Sequence, residues 1–127
     1  MKRVVVATQN TLVSETIMHS LKERDILVEK SLSETPDGIA KACQTFLADV
    51  LFMDVTRFGS GSFDNRMKTI NMVKKSGQKL ETCFICDNVS DKELSFKIID
   101  TKKLGFIDAF FYQSVPSDYI ADVISAM

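Results

Sequence analysis

Four stretches of this chain place polar, reactive side chains where an apolar run ends. Asp54 closes the run Val50-Leu51-Phe52-Met53, and Asp87 and Asn88 follow the run at 82–86. Thr8, Gln9 and Asn10 follow Val4-Val5-Val6-Ala7, and Gln113 and Ser114 follow Phe110-Phe111-Tyr112. A lone carboxylate at the tip of a core run has two uses: it caps a nearby helix or loop, or it is a reacting group. Asp54 is the sharpest candidate for the second use. Cys83 and Cys86 form a C-x-x-C string, but residues three apart on a strand point to opposite faces, so packing is the simpler reading than zinc or redox chemistry. The sole histidine, His19, lies one step off the apolar face of Val13, Ile17 and Leu21. It reads as a surface residue rather than as half of a nucleophile–base pair.

The elements that must position these groups follow from periodicity. β-Branched runs at 3–8, 26–30, 50–54, 80–86 and 106–112 alternate with helix-period segments, the pattern of a parallel sheet wrapped by helices. The helical faces are Val13, Ile17 and Leu21; Ile39, Cys43 and Phe46; Met67, Ile70 and Val73 or Lys74; Leu94 and Ile98; and Ile120, Val123 and Ile124. Val4 to Ala7, Val50 to Met53 and Cys83 to Ile85 are apolar on both faces, as strands covered from both sides are. Ile26-Leu27-Val28-Glu29-Lys30 is more polar and predicts an edge strand. Pro36 and Asp37 open the second helix, Gly77 closes the third, Gly105 follows the fourth and Pro116 opens the fifth. The long connection at 56–65, centred on Gly59-Ser60-Gly61-Ser62, reads equally as a flexible active-site loop or as a solvated turn.

Composition narrows the function classes. With 127 residues, 16 basic and 17 acidic side chains and a formal charge of −1, residues 1–127 read as one globular α/β domain. The balance argues against direct nucleic-acid binding and against a membrane-surface patch. No stretch approaches the ~20 apolar residues that span a bilayer, and three cysteines are not a disulfide framework. The expectation is a cytoplasmic protein.

The order of elements, the strand Asp49-Val50-Leu51-Phe52-Met53-Asp54 and Gly105 ahead of an aromatic fifth strand together resemble the receiver domain of bacterial two-component response regulators, over essentially the whole chain. The resemblance implies a flavodoxin-like (βα)5 three-layer sandwich with a parallel five-stranded sheet of order 2-1-3-4-5. It also implies signalling rather than enzymatic turnover, with Asp54 as the candidate phosphoacceptor of a histidine kinase. Here the supporting chemistry departs from the family. Thr8 and Gln9 stand where an acidic pair holds magnesium, which predicts at most weak Mg2+ binding. Gln113 and its neighbours stand where a lysine pairs with the phosphoryl oxygens. Asp87, or with a one-residue slip Asn88, stands where a Ser or Thr hydroxyl is usual. An acid there would face a phosphoryl group on Asp54 as a like charge, at a cost on the order of a few kcal/mol, and predicts a pH-sensitive or ligand-filled pocket. Phe110 matches the family's switch aromatic, although Phe106, Phe110, Phe111 and Tyr112 together read more simply as core and partner-facing bulk.

Three functions follow as expectations. The leading one is a pseudo-receiver acting through a protein partner, with the fourth helix, fifth strand and fifth helix as contact face and as a route to a homodimer. The second is a receiver still phosphorylated at Asp54. The third is a flavin mononucleotide carrier, because flavodoxins share the architecture and the segment Thr8 to Ser14 offers hydroxyls and amides at a helix N-terminus. Thr11 is equally an N-cap.

Overall fold

Five parallel strands in the order β2-β1-β3-β4-β5 form the central layer of the chain. The structure is a computed structural model and describes residues 1–87 and 91–127. The elements are β1 (Arg3–Ala7), α1 (Thr11–Lys22), β2 (Leu27–Lys30), α2 (Pro36–Phe46), β3 (Val50–Asp54), a short 3-10 turn at Gly59–Gly61, α3 (Phe63–Lys75), β4 (Glu81–Cys86), α4 (Lys92–Lys103), β5 (Ala109–Tyr112) and α5 (Ser117–Ser125). This is the flavodoxin-like (βα)5 sandwich. β2 is an edge, as its polar composition predicts, and the three strands that are apolar on both faces lie at the centre.

Alternation along the strands divides the core into two layers. Val5, Leu51, Met53, Phe84 and Cys86 face one way, against Ile39 and Cys43 of α2, Ile70 and Val73 of α3 and Ile98 of α4. Val4, Val6, Phe52, Cys83 and Ile85 face the other, against Ile17 and Leu21 of α1 and Ile120 and Ile124 of α5. Cys83 and Cys86 therefore lie on opposite faces of the sheet, each buried and free. The C-x-x-C string is thus a packing feature.

β1, β2 and β4 each fall one residue short of the expected runs 3–8, 26–30 and 80–86, and three further boundaries differ for a local reason. β5 begins at Ala109 and leaves Phe106 in the turn after α4, 40% exposed, because Gly105 takes a positive φ of 82° and the Asp108 carboxylate accepts the Thr82 amide ahead of the ladder. The cap of α1 is Asn10, not Thr11; its Oδ1 accepts the amides of Leu12 and Val13. The third connection is shorter than 56–65, since Ser62 caps α3 and the helix starts at Phe63. Among the described residues no helix is long and apolar enough to cross a membrane.

Candidate functional site

The carboxyl ends of β1 and β3 meet at the point where strand order reverses, the crevice in which open α/β sheets bind ligands. Asp54 stands there as the last residue of β3, and only 2% of it is exposed. Its Oδ1 lies 2.6 Å from Nη2 of Arg66, and its Oδ2 accepts the backbone amide of Gln9 at 2.9 Å. The same guanidinium donates from Nε to the Asp54 carbonyl at 2.7 Å and from Nη2 to the Ala7 carbonyl at 3.2 Å. Two charges removed from water are better tolerated when further hydrogen bonds support them, and this pair has three, from the Gln9 amide to Asp54 and from Arg66 to the Asp54 and Ala7 carbonyls.

Arg66 was not among the residues picked from the sequence. It is one turn into α3, on the face continued by Thr69, Ile70 and Val73, and it is 2% exposed. The signal was available. Stepping back four residues from Ile70 along the apolar stripe lands on an arginine, and a cation on a core-facing stripe needs a buried partner.

Gln9 ties the neighbouring loop to this pair. Its Nε2 donates to Ser60 at 2.7 Å, its Oε1 accepts from Thr56 at 3.2 Å, and Ser60 donates on to Glu34 at 3.3 Å. Gly61 leaves room for that contact, since a Cβ there would lie 2.6 Å from Gln9 Oε1 and 2.8 Å from Thr56 Oγ1 and would push these side chains aside. Thr56 and Ser62 also form a parallel bridge. The connection thus folds into a short turn whose side chains bond to Gln9 beside the crevice. Thr8 bonds through its hydroxyl to Ser14, and so holds α1 to the end of β1.

The predicted pocket residues separate into two places. Thr8 and Gln9 line a cleft that reaches toward Lys30 and Ser31 after β2, with Arg66 in its wall. Asp87, exposed after β4, and Gln113, exposed after β5, line a different hollow with Val55, Thr56 and Arg57. Arg57 lies 3.7 Å from Asp91, the residue that caps α4. Asn88 falls outside the described residues. Phe110 is half-buried, packed against the α2–α4 side of the core and edge-on to Tyr112 at 5.7 Å. The hydroxyl of Tyr112 is 2.8 Å from that of Ser95.

Magnesium does not fit at Asp54. The carboxylate already faces a guanidinium, its second oxygen is taken by an amide, and Thr8 and Gln9 contribute a bound hydroxyl and a bound carboxamide rather than anionic oxygens. A dication would have to displace Arg66. Among the described residues no three His, Cys, Asp or Glu side chains converge into another metal site.

No protein-family model matches the chain, and no curated protein matches it in sequence. Solved structures do resemble it in shape. A response regulator from Thermotoga maritima superposes with a TM-score of 0.75 at 15% identity, covering 99% of this chain and 96% of that one. The Vibrio cholerae chemotaxis protein CheY4 gives 0.74 at 15%, covering 99% and 98%. HP1043, an orphan response regulator of H. pylori, gives 0.72 at 13%, covering 98% and 94%. At these identities the likeness establishes a shared fold: the chain has the doubly wound architecture of response-regulator receiver domains along nearly its whole length.

Proposed function

We propose that this chain is a receiver-type signalling domain of the two-component kind in which Asp54 is a structural anchor and signalling runs through protein contact. The observation that carries this reading is the engagement of both Asp54 oxygens, one by Arg66 and one by the Gln9 amide, in a side chain only 3% exposed. A phosphoacceptor carboxylate has to present a free oxygen to phosphorus beside a divalent cation that offsets the incoming charge. Here a fixed monovalent cation occupies that position. Asp87 and Gln113, in place of a hydroxyl and a lysine, add to the same conclusion.

The partner is a protein, a histidine kinase or another signalling chain, and the contact face is α4, β5 and α5. Phe96 is 66% exposed, Leu104 74% and Tyr119 56%, so the face presents large apolar groups to solvent. A homodimer through this face is one form such contact takes, and the setting is cytoplasmic. The first-turn amides of α1, which a flavin phosphate would use, are already held by Asn10, which favours protein contact over cofactor binding.

Intact mass after incubation with acetyl phosphate and magnesium, beside Asp54→Asn, tests the reading. No added phosphoryl group is expected on either protein. An addition to the unmodified chain that disappears in the variant would overturn it.

A further inference from the structure

Arg66 has five N–H donors and no acceptor. Three of them are used, by the Asp54 carbonyl, the Asp54 carboxylate and the Ala7 carbonyl, through Nε and Nη2. Among the described residues Nη1 makes no hydrogen bond, and since Gln78 Oε1 is the one fully enclosed side-chain polar atom there without a partner, Nη1 is the part of this 3% exposed side chain that keeps an opening. A cationic donor with little access to water and no protein acceptor is poorly satisfied, so where one borders a polar space it asks for an acceptor.

Arg66 does border such a space. A cleft of about 270 Å³ opens between the turn after β1 and the turn after β2, lined by Ala7, Thr11, Lys30, Glu34, Ile39 and Arg66 among others. At ~30 Å³ per water it holds the equivalent of about nine waters, enough for an oxyanion with a small substituent. Lys30, half-buried at the end of β2, has no ion-pair partner among the described residues, and its ammonium is likewise donor-only. The Thr11 hydroxyl forms no hydrogen bond among the described residues and adds a third donor. The one opposing charge is Glu34, whose carboxylate accepts from Ser60.

We infer that this cleft is a binding site for a small phosphate-type oxyanion, held by the Arg66 guanidinium and the Lys30 ammonium that line it. Guanidinium and ammonium groups are the natural partners of phosphate oxygens. The site does not draw on the α1 amides that Asn10 occupies. It is separate from covalent chemistry at Asp54, which lies behind the guanidinium. Binding there is communicated to Asp54, because both anions share one cation.

Amide-resolved NMR titration of the full chain with inorganic phosphate, against chloride at matched ionic strength, tests the inference. Saturable shifts are expected at the Thr8, Thr11 and Ser31 amides, and at the Gln9 amide that reports on Asp54. Lys30→Ala should weaken binding at least fivefold with an otherwise unchanged spectrum, and Glu34→Gln should tighten it. Asp54→Asn should retain or tighten binding, because it releases Arg66. This separates the site from phosphoryl transfer, which the same variant would abolish. Shifts that chloride reproduces, shifts that do not saturate, or binding indifferent to Lys30→Ala would overturn the inference and assign the cleft to water alone.

Discussion

At the scale of single residues, the buried ion pair decides how the crevice behaves. Replacing Arg66 with methionine keeps an unbranched apolar stem but leaves the Asp54 carboxylate without a counter-charge in a site 2% exposed. Breaking a buried pair by removing one partner costs about 3–5 kcal/mol. Urea denaturation of Arg66→Met should show a loss of that size, and Asp54→Asn combined with Arg66→Met should recover much of it. A double variant no more stable than the single would show that Arg66 acts by packing alone. Asp54 was legible in the sequence because a carboxylate ends an apolar run. Arg66 is harder to read, because the face of Met67, Ile70 and Val73 or Lys74 begins one residue after it and does not by itself extend the stripe back to a cation.

The cysteines give a second residue-scale prediction. Burial pushes the Cys43 thiol up from 9.0 to about 12, and burial, with Asp87 and Asp91 adding to it, pushes Cys86 up to about 11. Cys83 is raised as well, by burial first and then by Asp108 and Glu81. Each folded thiol holds its proton above the pH at which the unfolded thiol loses it. Between about pH 9 and pH 11–12 the unfolded state therefore binds fewer protons, and stability falls as pH rises. Denaturation midpoints measured from pH 8 to 10.5 should drop, and the drop should shrink in Cys43→Ala relative to its own value at pH 8. Ellman's reagent should find all three thiols slow in the folded protein at pH 8 and fast in urea.

At the scale of elements, sequence periodicity located every strand and helix, and it failed at ends set by single contacts. β5 lost its first residues to a turn because the alternation that marks a strand does not register the Asp108 side chain taking the Thr82 amide. The third connection is shorter than 56–65 because the Ser62 hydroxyl accepts the Asn65 amide, a cap that periodicity does not register. Gly38 carries a prediction of the same local kind. In the first turns of α2 alanine would ordinarily be favoured over glycine by about 1 kcal/mol. Here a Cβ would lie 1.9 Å from Ser33 Oγ and 2.4 Å from Ser33 Cβ, so the turn after β2 has to move. Gly38→Ala should destabilise by about 1–3 kcal/mol, the range for overpacking, as read from thermal or urea unfolding. A stabilised variant would mean that the turn yields freely.

At the scale of the whole molecule, the two core layers and the closed crevice leave the outer faces as the place where information can pass. The α1 side is bound to α5 through Ser20 with Ser117 at 2.9 Å and Arg24 with Asp122 at 2.9 Å, which fixes α5 on the sheet. α4 is tied to β5 through Ser95 with Tyr112 at 2.8 Å, and it presents Phe96 outward while Leu94 and Ile98 anchor it. If contact through α4, β5 and α5 is the output, it must be present without phosphorylation and must depend on the exposed apolar groups. Light scattering across a concentration series is therefore expected to show self-association that acetyl phosphate and magnesium leave unchanged. Phe96→Glu should weaken it at least tenfold while shifting folding stability by no more than about 0.5 kcal/mol, as surface changes do. Association that appears only after acetyl phosphate treatment would return Asp54 to the role of acceptor. Association indifferent to Phe96→Glu would move the contact to another face, with β2, the opposite edge of the sheet, the next to test.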